Sequence, residues 1–137
     1  MLRFTTMLLF AVALVCACTP DTAEPQSEPV DMALIERGIA VYRENYCGTC
    51  HTLEAAGTRG IFGPNHNQAA SLAAERIASE NYTGTATTVE EYLRESLLEP
   101  QQYIVESYLV SAHPMPAYTH LDPEDIEAMV YLLLQQG

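Results

Sequence analysis

The chain has 137 residues, the length of one domain. It carries 18 Asp and Glu residues against six arginines and no lysine, which gives a formal net charge of −12. Such a surface argues against binding to nucleic acid and against electrostatic adhesion to anionic lipid. It either keeps an exported protein soluble or steers it toward a basic partner.

The first segment has the composition of a secretory signal. Arg3 gives a short positive region, and the apolar run over residues 7–17 is too short to span a bilayer. The small residues before Cys18 resemble the end of a bacterial lipoprotein signal. We therefore predict that residues 1–17 are removed and that Cys18 carries a lipid anchor. Simple cleavage after Ala17, which would leave Cys18 as a free thiol, is the alternative.

A predicted tether separates this signal from the folded domain. Residues 19–29 contain three prolines and several acidic residues but no large apolar side chain, so they cannot bury a core. We expect residues 18–30 to form a flexible tether and residues 31–137 to form the domain. The signal predicts export, to the periplasm or the outer face of the bacterial cytoplasmic membrane.

The first helix is predicted from about Met32 to Tyr46, with Asp31 as its N-cap. Its buried stripe is formed by residues at helical spacing, namely Ile35, Ile39, Tyr42 and Tyr46. Gly38 lies inside this helix, where glycine costs about 1 kcal/mol relative to alanine. The close approach of another helix would explain the glycine.

Three further helices are predicted, and no strand. The second covers about residues 68–79, and the third begins at a capping box of Thr88 and Glu91 and ends before Pro100. Its solvated side is expected to hold Glu90, Glu91, Glu95 and Glu99. The last helix opens at Asp122, with Pro123 in its first position. The predicted fold class is all-α, with about four helices.

The motif Cys47-Gly48-Thr49-Cys50-His51 carries the chemistry of the chain. Residues three apart are neighbours on one face of a helical turn, so both thiols can reach the two vinyl groups at one haem edge. His51 can then turn its imidazole toward the iron. We predict one covalent haem c, attached through Cys47 and Cys50, with His51 as an axial ligand.

Two other sites share a Cys-x-x-Cys pair. A dithiol redox site would be expected in a βαβ unit, and no run of β-branched residues beside the motif indicates one. A zinc site would need further ligands from His66, His113 and His120, whose spacing matches no common zinc finger.

Met115 is the predicted second axial ligand. Once the signal is removed, three methionines remain, of which Met32 and Met129 fall on predicted helices and are expected to pack there. Met115 instead lies in an irregular loop between two prolines, which restrict the backbone and suit a thioether held at a fixed point. The competing ligands are His113 in the same loop, His66 and His120, which are otherwise expected to be exposed loop histidines.

From about Leu34 to Gln136 the chain resembles the small single-haem cytochrome c family. The resemblance rests on the haem motif, on Gly63-Pro64-Asn65, and on Met115-Pro116-Ala117-Tyr118 before the terminal helix. The stretch VEEYLRES over residues 89–96 is also similar to cytochrome c domains fused to some terminal oxidase subunits.

The resemblance implies a cytochrome c fold, in which the first and last helices cross where Gly38 meets the region of Tyr131. It also implies that the Pro64 carbonyl accepts a hydrogen bond from the ring of His51. Family members often place an aromatic side chain on a haem propionate, and Tyr103 is the candidate because the chain has no tryptophan. The lysine ring of mitochondrial-type members is absent, so their mode of docking is not implied.

Iron bound by both His51 and Met115 has no open position for a substrate, and a thioether favours Fe(II). The predicted function is therefore a lipid-tethered one-electron carrier between membrane-associated redox complexes, with a terminal oxidase as one candidate partner. The alternative is a haem enzyme with an open or switchable sixth position, or the haem subunit of a larger oxidoreductase.

Overall fold

Five α-helices, α1 to α5, are found in residues 29–137, the part of the chain that the computed structural model describes. They run over Met32–Glu44, Cys47–Cys50, Ala69–Ile77, Val89–Leu98 and Pro123–Leu134. Two short 3-10 helices, Glu54–Ala56 and Glu106–Tyr108, lie in the loops. The all-α prediction is confirmed. The predicted signal, Cys18 and most of the predicted tether lie outside the described residues.

The crossing of α1 and α5 is the main helix contact of the domain. A Cβ at Gly38 would lie 2.8 Å from the Cβ of Leu132 and would also meet the carbonyl oxygen of Ala128, so only glycine permits this approach. The backbone N–H of Asp31 donates to the hydroxyl of Tyr131 at 2.8 Å. Close helix approach thus explains the glycine. Among residues 29–137, no helix is both long and apolar enough to cross a membrane.

Helix α1 ends earlier than predicted. The side-chain amide of Asn45 donates to the carbonyl of Val41 at 2.9 Å and closes the helix after Glu44. Tyr46 then takes a left-handed conformation, with φ of 58°, and is 78% exposed. The prediction of a buried Tyr46 was wrong because the chain must turn there to begin α2. The prediction that Met32 packs in the core was also wrong, since its position in the first turn leaves it 59% exposed.

The loop after α2 contains a small hairpin, so the expectation of no strand was wrong. Strand β1 (Thr52–Leu53) pairs antiparallel with strand β2 (Thr58–Arg59), and Gly57 at φ of 67° helps to reverse the chain between them. The Thr58 hydroxyl donates to the His51 carbonyl at 3.0 Å and accepts from the Leu53 N–H at 3.0 Å. Strands of two residues leave no alternating pattern to detect.

Helix α4 begins with the predicted capping box, since Thr88 accepts from the Glu91 N–H and the Glu91 carboxylate accepts from the Thr88 N–H. Glu95, however, is half-buried and was wrongly placed on the solvated side. Its carboxylate accepts from the Tyr82 hydroxyl at 2.6 Å and from the Thr85 N–H at 2.7 Å. Burial raises the pKa of Glu95, but these hydrogen bonds lower it on balance. The loop before α4 folds back over this turn of the helix.

Candidate functional site

A cavity of about 260 Å³ opens between α2, α4 and the segment 101–121. One ordered water needs only about 10–15 Å³ of such volume, so the cavity has room for a much larger group. Its lining includes the four side chains predicted to bind the haem and its iron, namely Cys47, Cys50, His51 and Met115.

Helix α2 holds the two cysteines one turn apart at the edge of the cavity. Cys47 is buried and Cys50 is half-buried, and both are free thiols. The hydroxyl of Tyr118 lies 3.9 Å from the Cys47 sulfur. Burial raises the pKa of the Cys47 thiol. Both thiols line the cavity one helical turn apart, which suits their addition across the two vinyl groups of a haem.

The ring of His51 is held by a hydrogen bond to Pro64. Its Nδ1 lies 2.7 Å from the Pro64 carbonyl oxygen, and a carbonyl can only accept, so Nδ1 carries the proton. The lone pair of the neutral ring is therefore on Nε2, where a metal can bind. Burial lowers the pKa of His51, which keeps the ring neutral. This is the contact that the resemblance implied for Pro64, and its role toward iron remains a prediction.

His66 packs directly on His51, a contact that the sequence did not predict. The two rings are stacked, with centroids 4.0 Å apart and planes inclined by 16°. Nδ1 of His66 lies 3.2 Å from the hydroxyl of Tyr42. Burial lowers the pKa of His66 well below its usual range. The expectation of an exposed loop histidine was wrong, because the His66 N–H donates to the Thr52 carbonyl at 2.9 Å and folds the loop over His51.

The position of His66 in the sequence was the only signal for this contact. It follows Pro64 by two residues, and the resemblance had placed Pro64 beside His51. A ring stacked against His51 is on the same side of any metal that His51 binds. His66 therefore does not compete with Met115 to bind the metal on the side opposite His51.

The segment 101–121 contributes Met115 and His113 to the cavity. Met115 is half-buried, and its carbonyl accepts a hydrogen bond from the Gln101 side chain at 3.3 Å. His113 is exposed, with its ring 5.2 Å from that of Phe62. His120 is also exposed and does not line the cavity. The assignment of Met115 as ligand remains a prediction, with His113 as its competitor.

The described residues do not support a zinc site. Within residues 29–137, no group of three or more His, Cys, Asp or Glu side chains is placed to hold a metal ion. His66 is engaged by Tyr42 and His51 instead of approaching the two thiols.

Tyr103 and Arg76 are two of the polar residues that line the cavity. Tyr103, the predicted propionate contact, has its ring centroid 5.1 Å from that of Tyr82 and 6.2 Å from that of Tyr92. Arg76, which was not predicted as a site residue, is the only arginine of the lining and donates to the Tyr92 hydroxyl at 3.2 Å. Among the residues that the structure describes, no carboxylate forms an ion pair with Arg76. The chain as a whole is strongly acidic, so the positive charge of Arg76 stands out in this cavity. It suits a ligand that carries a carboxylate.

The family model for cytochrome c matches residues 35–137, which is more than half of the chain. The chain matches no curated protein and no solved structure. Because the family model covers most of the chain, the chain belongs to the cytochrome c family. Membership implies a covalently attached haem c with its iron, and haem-based electron transfer as the general activity.

The residues of the cavity fit this group. Two free thiols lie one turn apart, and the adjacent neutral imidazole keeps its lone pair on Nε2. Arg76 brings a positive charge to the lining, which suits a haem propionate.

Proposed function

We propose that the domain is a one-electron carrier whose haem iron is bound by His51 and Met115. The observation that carries the proposal is that a neutral, hydrogen-bonded imidazole and a half-buried thioether line the same cavity from different segments. When bound, the haem supplies a one-electron iron couple, and a thioether ligand raises its potential. The Pro64 carbonyl orients the ring of His51, and burial keeps bulk water from that ring.

We assign the propionates to Arg76 and Tyr103. The support for Arg76 is its place in the lining and its lack of a carboxylate partner among residues 29–137. Tyr103 is packed against Tyr82 and Tyr92, so its hydroxyl would be presented from a rigid wall. A charge-assisted contact of this kind orients the haem and offsets its negative charge.

The visible spectrum and carbon monoxide test the carrier proposal. With both axial positions filled by protein, the oxidised form should show the weak far-red band of an iron–sulfur(Met) bond. The reduced form should bind carbon monoxide poorly. A protein that lacks this band and binds carbon monoxide at once has an open position and would contradict the proposal.

That outcome would favour a haem enzyme with an open or switchable sixth position, or the haem subunit of a larger oxidoreductase. One observation supports this second candidate. Residues 109–114 are all exposed, and the hydrogen bonds near Met115 come from within the loop or from the exposed Gln101. A ligand whose loop forms so few hydrogen bonds to the rest of the domain can be displaced at low cost.

We further propose that the carrier is anchored by lipid on Cys18 at the outer, periplasmic face of the cytoplasmic membrane. The support is the short apolar run before Cys18 and the proline-rich segment after it. About 12 residues of tether reach at most roughly 40 Å, which keeps the domain near membrane redox complexes. These complexes, among them a terminal oxidase, are the proposed donor and acceptor.

Fractionation of cells tests the anchor. The variant Cys18→Ser should leave the membrane fraction while keeping the haem spectrum of the wild type. Native protein that is wholly soluble and has an unmodified Cys18 would overturn the anchor without affecting the carrier proposal.

A further inference from the structure

A continuous series of three side chains connects α1 to the proposed iron ligand. Tyr42 is fully buried on α1, and its hydroxyl lies 3.2 Å from Nδ1 of His66. Its ring meets that of His66 edge-on, with centroids 5.9 Å apart and planes at 73°. His66 in turn stacks on His51 at 4.0 Å. The carrier function assigns no role to Tyr42 or His66.

We propose that Tyr42 and His66 are positioning residues that set the plane of the His51 ring. This inference rests on the axial ligation by His51 that is proposed above. Side chains that contact a metal ligand commonly fix the orientation of its ring and tune the metal through it.

The hydrogen bond to Pro64 fixes one corner of the His51 ring but not its plane. A ring held only through Nδ1 can still tilt about that contact. The stacked ring of His66 prevents the His51 ring from tilting toward it. Gly63 is also in close contact, since a Cβ there would lie 2.9 Å or less from three ring atoms. The plane is therefore determined by packing as well as by the hydrogen bond.

His66 can act in this way only if its own ring is fixed. Its backbone N–H donates to the Thr52 carbonyl at 2.9 Å, which fixes the chain at this residue. The hydroxyl of Tyr42 fixes the ring through Nδ1. Because Tyr42 belongs to α1, the orientation of the iron ligand is coupled to the main helix crossing of the domain.

The ring plane of an axial imidazole has its own spectroscopic signature. In an oxidised low-spin haem, the unpaired electron density on the porphyrin follows the plane of the bound imidazole. With the second axial ligand unchanged, a change in the paramagnetic proton shifts of the four haem methyl groups therefore reports a turn of that plane. A loss of global stability without a turn of the ring would not reorder these shifts.

The test compares four variants of the intact, haem-loaded protein by proton NMR. His66→Ala removes the stacked ring, His66→Phe keeps a flat ring without the bond to Tyr42, and Tyr42→Phe removes only the hydroxyl. His120→Ala, at an exposed histidine outside the cavity, is the control.

We expect His66→Ala to change the spread or order of the methyl shifts most. Tyr42→Phe should change them less, and His66→Phe should stay closest to the wild type. The far-red iron–sulfur band should persist in all four variants. Methyl shifts in His66→Ala and Tyr42→Phe that match those of His120→Ala would overturn the proposal.

The variants also separate this proposal from the carrier proposal. If His66→Ala fails to retain haem, Tyr42→Phe still tests the ring plane, since it changes no packing volume beyond one hydroxyl. A wild type without a low-spin haem spectrum would instead mean that the ligation by His51 and Met115 is wrong.

Discussion

The two sides of the cavity are built differently. On the motif side, the loop after α2 is joined to the motif by backbone hydrogen bonds. Gly63 donates to the Cys50 carbonyl at 2.9 Å, and His66 donates to the Thr52 carbonyl at 2.9 Å. On the Met115 side, the segment 101–121 contains only the short 3-10 helix Glu106–Tyr108, and most of its bonds are local.

The Met115 side is attached to the rest of the domain at points before and after Met115. The Tyr108 hydroxyl donates to the Gly63 carbonyl at 3.0 Å, and the Tyr118 N–H donates to the Leu97 carbonyl at 2.9 Å. Between these points, the Gln101 side chain contacts the backbone of Met115 at 3.3 Å. The difference teaches that the hydrogen bonds of the chain itself fix His51, whereas the proposed ligand Met115 is held by few of them. Segments with few buried contacts open at the lowest free energy.

Removal of the Met115 thioether should have the largest effect on the haem spectrum. It removes the proposed ligand on the less firmly held side of the cavity and leaves the motif side unchanged. We expect Met115→Ala to lose the far-red band completely. It should keep the haem, which remains attached through its covalent bonds to Cys47 and Cys50. If the form with Met115 off the iron makes up about 1% of the wild type, the apparent affinity for carbon monoxide should rise about 100-fold. Titration of the reduced protein with carbon monoxide measures this rise.

Met32→Ala is the matched control, because Met32 is 59% exposed and far along the chain from the cavity-lining segment. It should leave the band and the affinity for carbon monoxide unchanged. Should the band be missing in the wild type and Met115→Ala leave the spectrum unchanged, His113 would become the ligand to test.

The comparison also separates what the sequence could predict from what it could not. The helices with strong periodicity or capping signals, α1, α4 and α5, were located within a few residues, and the motif identified the haem. These features depend on spacing along the chain, which the sequence displays directly. The close helix approach at Gly38 could be inferred as well, since a glycine inside a helix needs a reason.

The features that were missed depend on contacts between segments. The left-handed turn at Tyr46 follows from the need to redirect the chain after Asn45, and tyrosine itself gives no sign of it. The stack of His66 on His51 arises only once the loop folds back on Thr52. Glu95 was expected to be a surface residue because its partner Tyr82 lies in a loop without periodicity.

Crowding on the motif side should have the next largest effect. Gly63→Ala would place a Cβ 2.9 Å or less from three atoms of the His51 ring, so the ring or the loop must move. We expect it to lower the free energy of unfolding by about 1–3 kcal/mol, as overpacking does. We also expect it to change the haem methyl shifts. Denaturant unfolding and proton NMR measure the two effects.

Gly57→Ala gives a sharp contrast within the same loop. Gly57 has φ of 67°, and a Cβ there would meet only Arg43, at 3.6 Å. An alanine in this conformation costs about 1–2 kcal/mol of backbone strain. Its loss of stability should be similar, but its haem methyl shifts should match the wild type. Equal shifts in the Gly63 and Gly57 variants would mean that the motif side does not hold His51 as described.

The smallest expected effect concerns Glu95, which supports the wall beside the Met115 side. Its carboxylate accepts from Tyr82, whose ring packs against the cavity-lining Tyr92 and Tyr103. Because the pKa of Glu95 is lowered in the folded protein, its charged form is bound more strongly there than in the unfolded chain. This stabilisation is complete above the unfolded pKa of about 4.3 and is lost as pH falls through the folded pKa.

We therefore expect Glu95→Gln to lower the free energy of unfolding by about 1 kcal/mol at neutral pH, the net worth of one hydrogen bond. The gap to the wild type should narrow as pH falls below about 4, since the wild-type carboxylate then takes up its proton. Glu99→Gln is the matched control, because Glu99 is exposed at the end of the same helix. Denaturant unfolding of the three proteins from pH 7 to pH 3 measures the gap. A constant gap over this range would mean that the charge on Glu95 adds nothing, and that the tyrosine wall is held by packing alone.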